Sequence, residues 1–185
     1  MDRFIAEQRD ILYFQAQIGA YFSGTLKYDD IKISVVPFIF KYFNIIGQSL
    51  RISVEVLEKI RNGHSAAVPF NVIDSLPQLL ADPVIIMKSI THQESLVVVL
   101  NAKDANLNTL IAILRPPRNK IVRIPSIYGK DNFDYFMDLN IEKENLIYTD
   151  MAQAKKILQP SAIEFLNSRS QNITTKEFIL KKKNP

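Results

Sequence analysis

The spacing of hydrophobic and polar positions changes partway along the chain. Residues 3 to 22 place Phe4, Ile11 and Ile18 seven apart, and the pairs Ile5/Leu12 and Phe14/Tyr21 repeat that interval. This spacing predicts an amphipathic helix, ended by Gly24 and the charged KYDD. Residues 31 to 50 are strongly apolar, and Pro37 divides them into a short extended piece and a short helix ending near Gly47. Ser53 is placed to cap a helix, VEVLEKIRN, with Glu55 in its first turn and Gly63 as its stop. A third helical piece is expected over about 71 to 81, closed by Asp82-Pro83.

Beyond Pro83 the period falls to two. The segments 84–90, 95–101, 109–115 and 120–127 are rich in β-branched residues and bounded by turn residues. Connections as short as THQE, AKDANLN and PPRN join neighbouring strands as antiparallel hairpins. A short helix is expected over about 131–138, then a strand over 145–149, two short helical pieces and a lysine-rich tail. The predicted fold is α+β: N-terminal helices packed on a four-stranded antiparallel meander, in one main domain.

Composition narrows the chemistry. With 185 residues and 47% hydrophobic content the chain can bury a substantial core. Mean hydropathy is near zero, no apolar run is long enough to span a membrane, and no secretory signal is visible, so no membrane anchor is expected. There are no cysteines, which removes disulfides, zinc–thiolate sites and cysteine nucleophiles. With only His64 and His92, a multi-histidine metal site is excluded, and no cofactor motif is present. The net charge of +4 is unevenly spread: RPPRNKIVRIPSIYGK carries five basic residues and no acid, and KKK follows at 181–183. Such clusters suit a polyanionic partner, although a solvated basic surface would look the same.

Two stretches hold candidate chemistry. In LEKIRNGH, Lys59 sits near a helix C-terminus and His64 just past its stop. Histidine exchanges a proton near neutral pH, and a nearby lysine can neutralise phosphate. A histidine there can equally bond the last helix carbonyls. In RIPSIYGK, Arg123, Ser126, Tyr128 and Lys130 offer donors and charge suited to phosphate, or form an ordinary strand end. Arg118 and Lys120 extend the basic surface, while His92, in the THQE turn, reads as a solvated histidine. Together these groups match RNA cleavage by its own 2′-hydroxyl, which needs a base, an acid and cations around the phosphorane but no metal.

The segments VVPFIFKYFNIIGQSLRISVEVLEKIRNGH, VIDSLPQLLADPVIIMKS, LVVVLN, IAIL, IPSIYGK and NLIYTD resemble, over residues 31 to 150, the phage MuF-type C-terminal toxin domain of the barnase–EndoU–colicin–RelE-like nuclease superfamily. The resemblance implies a metal-independent ribonuclease toxin acting on RNA, with tRNA a candidate target, and leaving a 2′,3′-cyclic phosphate. It implies His64 as general base or acid and Lys59, Ser126 and Tyr128 as its catalytic companions; Arg123, Lys130, Lys120 and Arg118 would bind phosphate. Where the family has Thr-Pro ahead of its second helix, this chain has Val36-Pro37, so that threonine's role is lost. Residues 1–28 would then be an accessory helix ending a delivery region, and 29–185 the toxin domain with its basic tail. A bacterial effector of this kind acts in the target-cell cytoplasm and needs an acidic immunity protein in its producer. The alternative is a non-catalytic RNA- or protein-binding module of a phage or secretion system.

Overall fold

The computed structural model describes residues 4–62, 67–92, 94–169 and 172–181. The first half of the chain runs through helix α1 (Gln8–Phe22), strand β1 (Asp30–Ser34), helix α2 (Phe38–Tyr42), strand β2 (Ser49–Ser53) and helices α3 (Val54–Asn62), α4 (Phe70–Asp74) and α5 (Leu76–Ala81). Strands β3 (Ile85–Lys88), β4 (Leu96–Lys103), β5 (Thr109–Leu114), β6 (Ile121–Ile124) and β7 (Ser126–Gly129) follow. The chain then forms α6 (Phe133–Glu142), β8 (Leu146–Thr149), α7 (Met151–Ala154), α8 (Pro160–Ser168), β9 (Thr174–Thr175) and α9 (Lys176–Lys181).

The α+β class holds, but the sheet is not a four-stranded meander. Among the described residues there are two open sheets, one ordered β1-β2-β6 and one ordered β7-β5-β4-β3-β8-β9. The first three expected strands pair antiparallel as read, with Ile86 opposite Val98 and Val98 opposite Ala112. The fourth, 120–127, breaks at Pro125. Its first half, β6, runs parallel to β2; its second half, β7, runs antiparallel to β5. Proline has no N–H for a ladder, so the chain changes sheets where it falls. Strand β8 then joins the other side of β3, and β9 pairs with β8.

The larger sheet is covered on both faces. Ile86, Val98, Leu110, Ala112, Ile127 and Tyr148 turn toward α1, α3, α5 and the smaller sheet, where they meet Phe14, Ile18, Leu57, Ile60 and Leu80. Ile85, Met87, Val97, Val99 and Ile111 turn the other way, against Met137, Ile141, Ala162 and Leu166 of α6 and α8. Double burial explains why these strands read as near-continuous apolar runs.

Helix α1 is fastened to the first core. Beyond Phe14 and Ile18, its Asp10 is 2% exposed and accepts hydrogen bonds from Lys32 Nζ at 3.0 Å and the Val35 N–H at 2.7 Å. The α3 cap is as expected, the Val56 N–H donating to Ser53 Oγ at 3.3 Å. No helix among the described residues is long and apolar enough to cross a membrane.

Candidate functional site

Register places a basic groove at one end of the larger sheet. Leu96 opposes Leu114, so the β3–β4 turn just before Leu96 faces Arg115 just after Leu114. That turn is held internally: the His92 N–H donates to Ser89 Oγ at 3.2 Å, and the Ser95 and Ser89 N–H groups donate to His92 O and Ser95 O at 3.2 and 3.0 Å. Across from it, Arg118 and Ile121 exchange backbone hydrogen bonds at 3.0 and 2.9 Å. Asn119 and Lys120 between them both have positive φ, 50° and 63°, the geometry of a two-residue type I′ turn. The Arg115 N–H donates to Arg123 O at 3.0 Å, which ties β5 to β6.

The groove between these parts has a volume of about 590 Å³ and is lined by Thr91, His92 and Ser95 on one side and by Arg115, Arg118 and Arg123 on the other. Glu94 is its one lining carboxylate. The Arg123 guanidinium donates to Asp30 at 2.6 Å, and this hydrogen bond raises its pKa further. Arg115 and Arg118 have no carboxylate partner among the described residues. Unpaired guanidinium groups can grip phosphate oxygens, and histidine can accept and donate a proton. Two arginines free of carboxylates beside a histidine form a pocket suited to a phosphodiester. Among the described residues no group of three or more His, Asp or Glu side chains is placed to hold a metal ion.

The predicted site residues divide between the two ends and two faces of the sheet. Arg118 and Arg123 line the groove, and Lys120 is exposed at the adjoining turn. Ile127 points into the α1–α3–α5 core, so its neighbours Ser126 and Tyr128 point to the opposite face. Burial pushes the Tyr128 phenol pKa up, favouring its protonated, hydrogen-bond-donating form. Lys130 lies at the far end, its N–H donating to Thr109 O at 2.9 Å and its Nζ 5.2 Å from the Phe136 ring centre. Lys59 is on α3, across the sheet from Ser126 and Tyr128, and its Nζ donates to Glu55 at 2.6 Å. Lys59 and the Ser126–Tyr128 pair stand on α3 and β7, two elements that pack against each other. His64 lies outside the described residues. The Ala67 carbonyl accepts from the Ala105 N–H of the β4–β5 turn at 3.0 Å.

The groove also brings in His92, which reads from the sequence as a solvated turn histidine, and Ser95 and Arg115, which the sequence did not single out. Arg115 begins the five-base run and carried that signal. Nothing local marks His92, because its place in the groove depends on the β4–β5 register setting its turn beside Arg115.

No curated protein and no solved structure matches the chain. The model of the phage MuF-C-terminal domain matches residues 57–156, just over half of the chain, and every lining residue of the groove falls within that span. The chain belongs to the phage MuF-C-terminal domain family.

Proposed function

We propose that this chain is a metal-independent endoribonuclease toxin that works in the groove between the β3–β4 turn and the Arg118–Ile121 hairpin. The observation that carries the reading is the placement of His92 opposite Arg115 and Arg118, which have no carboxylate partner among the described residues. The 2′-hydroxyl of RNA attacks its own phosphorus, and His92 takes part in moving the proton from that hydroxyl or to the leaving 5′-oxygen. The arginines balance the charge that builds on the phosphorane. The products are a 2′,3′-cyclic phosphate and a free 5′-hydroxyl. His64 is the second candidate for proton transfer, in keeping with the resemblance to nuclease toxins. In that setting the protein is delivered into a target bacterium, acts on cytoplasmic RNA such as tRNA, and is held in check by an acidic immunity protein seated on the basic groove.

A second reading is a non-catalytic RNA-binding module. It is favoured by the ion pairs of Lys59 with Glu55 and of Arg123 with Asp30, which already neutralise two expected phosphate stabilisers. Incubation with total bacterial RNA in EDTA, read on a denaturing gel, separates the readings. Wild type should give discrete fragments, and His92→Ala should lower the rate about 100-fold or more with RNA affinity kept. Loss in His64→Ala alone would assign the proton transfer to His64 rather than His92. Intact RNA, with binding that falls steeply with salt, would leave the binding module.

A further inference from the structure

The outer face of the three-stranded sheet carries a row of cations. Lys32 on β1 opposes Arg51 on β2, which opposes Arg123 on β6. Like charges on neighbouring strands oppose folding unless something offsets them. Lys32 is matched by Asp10 and Arg123 by Asp30. Arg51 has no carboxylate partner among the described residues; its Nε donates to Ser49 Oγ at 3.3 Å. One strand spacing, about 4.8 Å, separates its backbone from that of Arg123, which lines the groove. On its other side Arg51 borders a cavity of about 370 Å³ also lined by Tyr13, Gln17, Tyr28, Asp29, Lys32 and Asp30, the last already paired with Arg123. Tyr13 and Tyr28 leave 54% and 73% of their surface exposed.

We propose that this cavity is a nucleobase subsite joined to the groove through Arg51, and that the RNA taken by the protein is single-stranded. The proposal rests on the RNA reading of the groove. Lys32 Nζ lies over the Tyr13 ring, 5.9 Å from its centre, whereas the more exposed Tyr28 ring offers a face on which an unpaired base stacks. Asp29 has no side-chain hydrogen bond among the described residues, and its carboxylate repels a phosphate while accepting N–H groups from a base edge. The cavity therefore suits a base, and Arg51 suits the phosphate that follows it. A duplex keeps its bases stacked inward and cannot offer one to this cavity.

The test measures binding of two labelled hexaribonucleotides, one of mixed sequence and one abasic with the same phosphates, to the full chain by fluorescence anisotropy. Tyr28 is exposed, so Tyr28→Ala leaves the core intact. The proposal predicts that Tyr28→Ala weakens the mixed hexamer roughly ten-fold and leaves the abasic one unchanged. Arg115→Ala/Arg118→Ala should weaken both. If that groove variant weakens both while Tyr28→Ala changes neither, the subsite is wrong and the groove reading stands. If Tyr28→Ala acts alone, the subsite stands and the groove reading falls. If wild type binds neither hexamer, both fall.

Discussion

Gly129 gives the SIYGK stretch a steric reason for its composition. A Cβ at this position would collide with the Asp104 carboxylate. That carboxylate is already committed: Oδ1 accepts from the Asn106 and Asn108 N–H groups at 2.8 and 2.9 Å, and Oδ2 accepts from Asn108 Nδ2 at 3.1 Å. These bonds shape the β4–β5 turn, and β7 can close against it only without a side chain at 129. Gly129→Ala should therefore destabilise the protein by about 1–3 kcal/mol, read as a lower urea midpoint. A phosphate-binding glycine would instead leave the midpoint near its wild-type value and affect only RNA affinity. The same stretch that reads as half of a phosphate site is, at this residue, explained by packing.

Among the elements, the hairpins β3–β4 and β4–β5 were legible because their apolar runs are bounded by short turns. Strand β2 was not. Its alternation, Leu50 and Ile52 inward with Arg51 outward, spans only five residues and follows the apolar run of α2 without a period of its own. The change of sheets at Pro125 was half legible: proline forbids a central ladder there, but only the position of β2 tells where the first half goes. For the site, the basic run marked Arg118 and Arg123, whereas the turn histidine needed the register of another hairpin. Helix α1 was legible as a helix, and its packing gives a test of its standing. Phe14 is fully buried in the same core as Leu57 and Val98. Phe14→Ala should lower the unfolding free energy by about 3–5 kcal/mol and shift the midpoint of the whole cooperative transition down with it. An accessory helix would come away in a separate early step, leaving the β-sheet signal unchanged; coincident loss of helix and sheet circular dichroism is the expected outcome.

Among the described residues two charge systems stand out. One is the open basic face made by the groove and the row Lys32–Arg51–Arg123. The groove lies within the family match, and the residues that line the cavity beside Arg51 lie before it. The other is internal. Lys176 at the start of α9 donates to Asp82 at 2.6 Å and to Asp150 at 3.0 Å, fastening the C-terminal helix to the ends of α5 and β8. Burial works against the charge on Asp150, but hydrogen bonds from Gln153 and Lys176 outweigh it and hold the carboxyl pKa below its ordinary value. Stability from Asp150 is therefore present above an unfolded value near 3.9 and is lost as pH falls through the folded value. Lys176 shifts the other way: burial opposes its charge, its bonds to the two aspartates prevail, and its pKa rises. Its contribution is full below about 10.4 and is lost as pH rises through the folded value. Tyr148 adds to that alkaline loss, because burial, and then the charge of Asp150, push its phenol pKa far up while an unfolded chain ionises near 10. Its hydroxyl has no hydrogen-bond partner among the described residues, so the ring holds the core while the oxygen opposes burial. Tyr148→Phe should leave stability at neutral pH unchanged or raise it by about 1 kcal/mol, and should make the loss above pH 10 shallower. Lys176→Met should do the opposite at neutral pH, costing about 2–4 kcal/mol and moving the acid limb to higher pH as Asp150 loses its partner. Melting temperatures of the three proteins from pH 3 to 11 decide it: a Tyr148→Phe variant less stable at pH 7 would mean that the hydroxyl is bonded in the folded protein.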